Sequence, residues 1–412
     1  MADSQTYSLS GTDGQRLIYG LSLASVAIFI NLYLTQGMLP MLAERFDVSA
    51  GHSTLVVSVT SFSLALSLLG YALLSDRIGR RRPLIASLWL LALSNLLLFW
   101  VPDFDALLWL RLGQGMLLAS VPAIAMAYLK DRLPPVMLMT AAALYIAANS
   151  FGGIAGRLLG GVMAQYLDWN QAVLLLTVLT LLLVASAQWL LGIDRGADKR
   201  HVRQGQGALG GFVLHLGNPY LRGLYLLGGL AFMVMVNQFS FIQLHLMAEP
   251  FGWNRFQATL IFLCYLSGTL SSGQSARLMN KLGTVPLLIL SIGLMALGSV
   301  LTLANTELAI CLGFLCSACG FFLIHACCNS LVALGAEQHR AKATALYLCS
   351  YYLGAALGGP FLMPFWQTWH WQGVVAGSLL LIAANALALW RWQHLAKSRQ
   401  LDTPVSLRRC RN

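Results

Sequence analysis

The sequence is short of charge. Asp, Glu, Lys and Arg make up 10% of its 412 residues, against about 25% in a typical soluble domain. A chain built this way cannot face water on all sides. Acids are scarcest of all. All fifteen fall in expected loops, tails or span edges, so no buried carboxylate pair is available for acid–base catalysis. There is no cysteine before residue 260, and seven of the eight then lie in apolar stretches, with Cys410 in the tail. Cys316 and Cys319 form a C-x-x-C inside an apolar helix, which reads as packing rather than metal or redox chemistry. No phosphate-cradling loop and no H-E-x-x-H is present, which argues against a membrane enzyme and rules out an ATP-driven motor on this chain. The N-terminal stretch "MADSQTYSLSGTDGQ" lacks the basic region and cleavage site of a signal peptide.

What is present is apolar sequence, 58% of the chain. Runs of roughly 20 residues recur along it, each long enough to cross a ~30 Å hydrocarbon core as a helix. They do not alternate polar with apolar as barrel strands do. The sequence predicts an all-α polytopic membrane protein with twelve spans, near 16–38, 53–74, 84–101, 106–129, 138–163, 170–192, 220–245, 257–277, 285–304, 307–334, 342–365 and 372–393. Residues 1–15 form an N-terminal tail, 16–192 a first six-helix bundle, 193–219 a polar, basic linker, 220–393 a second bundle and 394–412 a basic tail.

Charge sets the expected orientation. Of the 26 Lys and Arg, Arg45 and Arg255 fall on one side, Arg111 and Arg157 lie within spans, and all others gather on the opposite side with both termini. Basic residues are retained in the cytoplasm, so both termini are expected there. The net charge of +11 follows from this topology and does not require a nucleic-acid partner. The basic loops and the tail "SLRRCRN" suit anionic lipid.

The two halves repeat. "AAALYIAANSFGGIAG" from 141 aligns with "ATALYLCSYYLGAALG" from 343, matching Tyr145 with Tyr347, Gly152 with Gly354 and Gly156 with Gly358. "GYALLSDRIGRRRPL" from 70 has a faded copy, "QSARLMNKLGTVPL" from 274, with Asn280 at the place of Asp76 and Gly283 at that of Gly79. Two similar six-span halves suggest a transporter with its substrate site between them.

These residues resemble the major facilitator superfamily over nearly the whole chain. Gly70, Asp76, Arg77, Gly79, Arg80 and Arg81 are similar to its loop signature G-x-L-a-D-R-x-G-R-R. Arg111 to Gly115, "RLGQG", is similar to its R-x-x-Q-G signature. Gly152, Gly156, Gly160 and Gly161 resemble the antiporter signature G-x-x-x-G-P-x-x-G-G, with Arg157 where proline is expected. The closest likeness is to bacterial inner-membrane exporters of the arabinose-efflux-permease and drug:proton antiporter type. It implies two pseudo-symmetric six-helix bundles, a multi-pass inner-membrane monomer with no cofactor or metal, and proton-coupled export of a small organic molecule. Uptake or uniport of an anionic metabolite is the alternative transport, and a membrane-embedded sensor or enzyme the alternative class.

The resemblance also implies roles. Asp76, at the end of span two, meets the negative end of its helix dipole. Arg77 or Arg80 could compensate it, as could the start of helix eleven near Lys342 to Thr344, forming a latch that closes one side. Spans one, four, seven and ten are expected to line the cavity. Their polar residues are Asn31, Tyr33 and Gln36, Arg111 and Gln114, Asn237, Gln238 and Gln243, and His325 and Asn329, with Tyr145, Asn149 and Tyr351 joining them. A central arginine costs at least about 2.5 kcal/mol in a membrane. Arg111 and Arg157 are therefore read either as bonded to helix carbonyls or as attracting an anionic substrate. His325 or Asp76 is the candidate proton carrier. Gly152, Gly156, Gly160, Gly161, Gly354 and Gly358 form smooth stripes for helix packing.

Overall fold

The computed structural model describes residues 11–192 and 210–398. Expectations for 1–10, for most of the linker and for the end of the basic tail fall outside the described residues. Ten helices are long and apolar enough to cross a membrane. Six form the first half: α1 (Gly11–Gly37), α2 (Ala50–Ile78), α3 (Arg81–Trp100), α4 (Phe104–Arg132), α5 (Pro135–Tyr166) and α6 (Trp169–Leu191). In the second half come α7 (Pro219–Met247), α9 (Thr284–Ala304) and α10 (Glu307–Gly335). The last apolar helix, Arg340–Ser398, turns back on itself at Trp369 and His370. It is two passes, α11 (340–368) and α12 (371–398), with Gly377 of the second lying against Leu362 and Phe365 of the first. The remaining pass, α8 (255–282), is segmented: Arg255–Thr259, a 3₁₀ stretch Leu260–Cys264, Tyr265–Gly273 and Ser275–Leu282. Twelve passes result, each within a few residues of its expected place. The end of the region read as linker carries a short helix, Gly210–Leu216, whose Phe212 lies under the Lys342 ammonium.

Helix ends follow local chemistry. Asp103 accepts from the Ala106 backbone at 2.8 Å to start α4, and Asp168 forms a reciprocal capping box with Gln171 to start α6. Such caps satisfy backbone donors that the first turn leaves free. The repeated loop explains its own glycines: α2 stops at Gly79 (φ 91°) and α8 at Gly283 (φ 88°), a backbone region that side chains disfavour. In α4 the ladder breaks at Ala119, just before Pro122, which has no N–H to give.

Packing within each half depends on close backbone approach. Along α5, a Cβ at Gly152 would meet Val26 and Phe29 of α1, one at Gly156 would meet Ile30, and one at Gly160 would meet Leu34 and Gly37. The second half repeats this: Gly354 and Gly358 of α11 press on Gly229, Met233 and Asn237 of α7. The outward face is apolar, with Trp100, Trp109, Leu182 and Leu270 among its exposed side chains. That surface suits hydrocarbon and would be costly in water.

Candidate functional site

Polar side chains gather at three places, and the first lies wholly inside the first half. The Arg111 guanidinium on α4 donates to Thr60 Oγ1 of α2 at 3.1 Å and to Gln114 Oε1 at 2.8 Å. Its second terminal nitrogen donates to the Asn31 carbonyl at 3.2 Å, Thr35 Oγ1 at 3.3 Å and the Leu32 carbonyl at 3.4 Å, all on α1. Gln114 donates to Asn95 Oδ1 at 3.0 Å and Ser94 Oγ at 3.1 Å on α3. Asn95 donates to Asn31 Oδ1, and Asn31 to Thr180 Oγ1 of α6, both at 2.9 Å. Five helices share this network. Gly115 permits it, because a Cβ there would strike Thr60 and Ser63 of α2. Asn31, Arg111 and Gln114 are thus placed in the bundle interior, each at most 1% exposed. The acceptors recorded for Arg111 are three side-chain oxygens and two backbone carbonyls of α1.

The second cluster sits on the seam between the halves. Arg157 of α5 is 2% exposed and, among the described residues, is in no ion pair with a carboxylate. Its Nε donates to Gln36 Oε1 of α1 at 2.8 Å and its Nη1 to the Gly153 carbonyl at 2.9 Å. The guanidinium carbon lies 3.6 Å from the Tyr33 ring centre on α1, 4.6 Å from that of Tyr265 and 5.0 Å from that of Phe262, both on α8. Arginine over an aromatic face gains roughly 0.5–2 kcal/mol per contact, most where water is excluded. Gln36 carries the contact onward, donating to the Val236 carbonyl and Ser240 Oγ of α7, each at 2.9 Å. Gln243 of α7 returns a bond to the Gln36 carbonyl at 3.1 Å.

Other contacts across the seam lie at the same end. Arg255 donates to the Ala164 carbonyl at 2.8 Å and pairs with Glu44. Gly51 meets Met363 and Trp366, Gly161 meets Thr259, and Gly359 meets Thr54 and Ser58. This end, opposite the basic loops, is closed. Ser240, Phe262 and Tyr265 are the members that sequence reading missed. Nothing in their own spans marks them, and only the position of Arg157 across the seam reveals them.

At the basic end the recorded contacts run within each half. Arg80 is shared by Asp76, 2.7 Å away at i,i+4, and Asp131, 3.1 Å away on α4, and it donates to Ser75 Oγ at 2.7 Å. Arg81 donates to the Gly192 carbonyl at 2.5 Å. Gly70 has open space around it and Arg77 is exposed. The Asp76 side chain is 54% exposed and pairs with Arg80, not with the start of α11. An exposed i,i+4 pair contributes about 0.3–0.5 kcal/mol. Asp76→Asn is therefore expected to leave the thermal midpoint within experimental error. A drop of several degrees would mean the carboxylate has a structural partner beyond Arg80. Any change in transport would then report on the state in which the basic end closes.

The third cluster lies between α10 and α11. His325 Nδ1 is 2.9 Å from the Tyr347 hydroxyl. Tyr351 stands 4.6 Å from the His325 ring and stacks on Phe232 at 3.8 Å, with Phe321 beside both. His325, Tyr351 and Asn329 are half-buried, and Asn329 Oδ1 is buried without a partner. Asn237 donates to the Met233 and Ala355 carbonyls, and Gln238 to Ser299 Oγ, so both bond within the second half. Asn149 takes a bond from Ser25, on the face of α5 that also carries buried Tyr145. Among the described residues, no group of three His, Cys, Asp or Glu is placed to hold a metal.

The family model described as Major Facilitator Superfamily matches residues 21–242 and again 224–406, once per half. The chain is 32% identical over 398 residues to the uncharacterized MFS-type transporter YybF of Bacillus subtilis (strain 168), covering 95% of this chain and 96% of the relative. It is also 32% identical to the inner membrane transport protein YnfM of Escherichia coli (strain K12), over 90% of this chain and 89% of that one. Among solved structures, a bacterial homologue of the human lysosomal transporter Spinster, in an inward-facing and occupied conformation, superposes with a TM-score of 0.73. The match is 14% identical and covers 95% of this chain and 98% of that one, a likeness of fold.

Proposed function

The chain belongs to the major facilitator superfamily of secondary transporters, and from that premise we propose that it exports a small organic molecule carrying negative charge, driven by protons. One observation carries this reading: among the described residues, guanidinium groups are buried and no carboxylate is. Of the eleven described acids, ten are exposed and Asp131 is half-buried, while Arg111 and Arg157 are at most 2% exposed. A low-dielectric space with uncompensated positive charge favours an anion and disfavours a cation.

Transport proceeds by rocking of the halves. The contacts at the end opposite the basic loops hold one state. Their exchange for a latch between Asp76 and the start of α11 would hold the other. With the basic loops in the cytoplasm of a bacterial inner membrane, the state described here is the one closed to the outside. His325 is the interior titratable group placed to carry a proton, with Tyr347 orienting its ring and Tyr351 and Asn329 beside it.

The test is solute counterflow in proteoliposomes under an imposed pH gradient, with anionic, neutral and cationic compounds. The expected result is movement of organic anions, dependent on the gradient and reduced at least tenfold in Arg157→Ala. Counterflow of every substrate unaffected by pH overturns proton coupling. Transport of cations alone, unchanged in Arg157→Ala, overturns the anionic substrate. Net uptake in place of export overturns the direction.

A further inference from the structure

The surroundings of Arg157 divide by half, and that division has a chemical consequence. From its own half the guanidinium receives Gln36 Oε1, the Gly153 carbonyl and the Tyr33 ring. Across the seam it receives only ring faces, Phe262 and Tyr265 of α8. All five N–H donors of a guanidinium want acceptors, and two are met here by recorded oxygen acceptors. The rings substitute for an anion by presenting the negative face of their quadrupole.

When the halves part at this end, α8 withdraws and takes both rings with it. Gln36 loses its bonds to α7 at the same moment and is free to stay with Arg157. What remains is a guanidinium held by Tyr33, Gln36 and Gly153, with one side open to the new vestibule. A cation still buried on its other sides favours a counter-charge at the open one. We infer that Arg157 is a state-dependent binding site for a single small anion, empty while the rings of α8 cap it and filled when this end opens. The ligand chemistry is a carboxylate or halide, supplied either by the transported molecule or by free salt. Because rings and anion compete for one charge, the anion favours the open state by linkage. The site deepens the reading of an anionic substrate but does not depend on transport of that anion.

The experiment reads opening of this end directly. Ser58 of α2 is 4% exposed and faces Gly359 of α11 across the seam. Ser58→Cys, in the full chain with its native cysteines replaced, is reconstituted and labelled with an impermeant maleimide added at the end opposite the basic loops. Chloride, acetate and a bulky sulfonate are compared at equal ionic strength. The labelling rate is expected to rise with chloride or acetate and to saturate, and to stay flat with the sulfonate. A rise with acetate alone assigns the site to a carboxylate; a rise with both assigns it to free anions as well.

Adding Arg157→Gln should remove the anion response, and the basal rate should rise because the cap is gone. Tyr265→Leu keeps the arginine and removes a competitor. Its half-saturating anion concentration should fall about twofold to thirtyfold, the range that one lost ring contact spans. A flat response to both anions in the parent overturns the inference, as does an undiminished response in Arg157→Gln. Organic-anion counterflow with flat labelling leaves the proposed transport standing and removes this site. Anion-dependent labelling without organic-anion transport does the reverse.

Discussion

Arg111→Ala is expected to destabilise the protein by about 3 kcal/mol or more and to abolish transport with it. The change strips donors from Thr60, Gln114, Thr35 and the carbonyls of Asn31 and Leu32. Each buried acceptor left without a partner costs about 1–3 kcal/mol, and little water reaches this site to replace the lost bonds. The damage spreads, because Gln114 and Asn31 also hold Asn95 and Thr180. Lysine should rescue poorly: its three donors radiate from one nitrogen and cannot span α1, α2 and α4 as the planar fork does. The thermal midpoint in detergent, read beside counterflow, checks this. An Arg111→Ala protein that melts with the parent would show that the network is not structural. The contrast with Arg157 is part of the expectation, since losing Arg157 should move the balance between states far more than the melting point.

Gly160→Val is expected to be comparably severe for a steric reason. A Cβ at Gly160 would lie inside contact distance of the Leu34 carbonyl and Gly37 Cα on α1. The opposing atoms are backbone, so no side chain can rotate away. Overpacking of this kind costs about 1–3 kcal/mol, and here it pries apart the two helices that place Gln36 against Arg157. Gly113→Ala is the control, because nothing lies within 4 Å of a Cβ there and alanine favours helix. The yield of monodisperse protein and its unfolding midpoint should fall for the first and hold for the second. Equal behaviour of the two variants would refute a packing role for the α1–α5 stripe.

Much of the architecture was legible in the sequence because hydropathy in a membrane protein reports directly on length and medium. The repeat of Gly152 and Gly156 at Gly354 and Gly358 proved to mark the same contact in each half, α5 on α1 and α11 on α7. The broken course of α8 and the short helix Gly210–Leu216 were not legible. The first depends on how backbone yields under tertiary packing, the second on seven residues too few to show a period. Polar residues were the harder problem. Asn31 and Gln36 lie five apart on one apolar helix, yet one bonds inward to α3 and α6 and the other crosses to α7. A single helix records that a residue is polar, but its partner belongs to another part of the chain. Tyr265 was missed on the same ground, as its worth comes from an arginine more than a hundred positions away.

Among the described contacts that close this end, one pair of opposite charges appears, Glu44 with Arg255, at the solvent-facing rim. The deeper contacts are the buried Arg157 guanidinium on its rings, with amides, carbonyls, hydroxyls and glycines around it. Screening acts on exposed charges and barely on such contacts. Ionic strength as such should therefore be a weak handle on the conformational balance, and the identity of the anion a strong one. A salt titration would here separate into two curves, one for each choice of anion at the same Debye length.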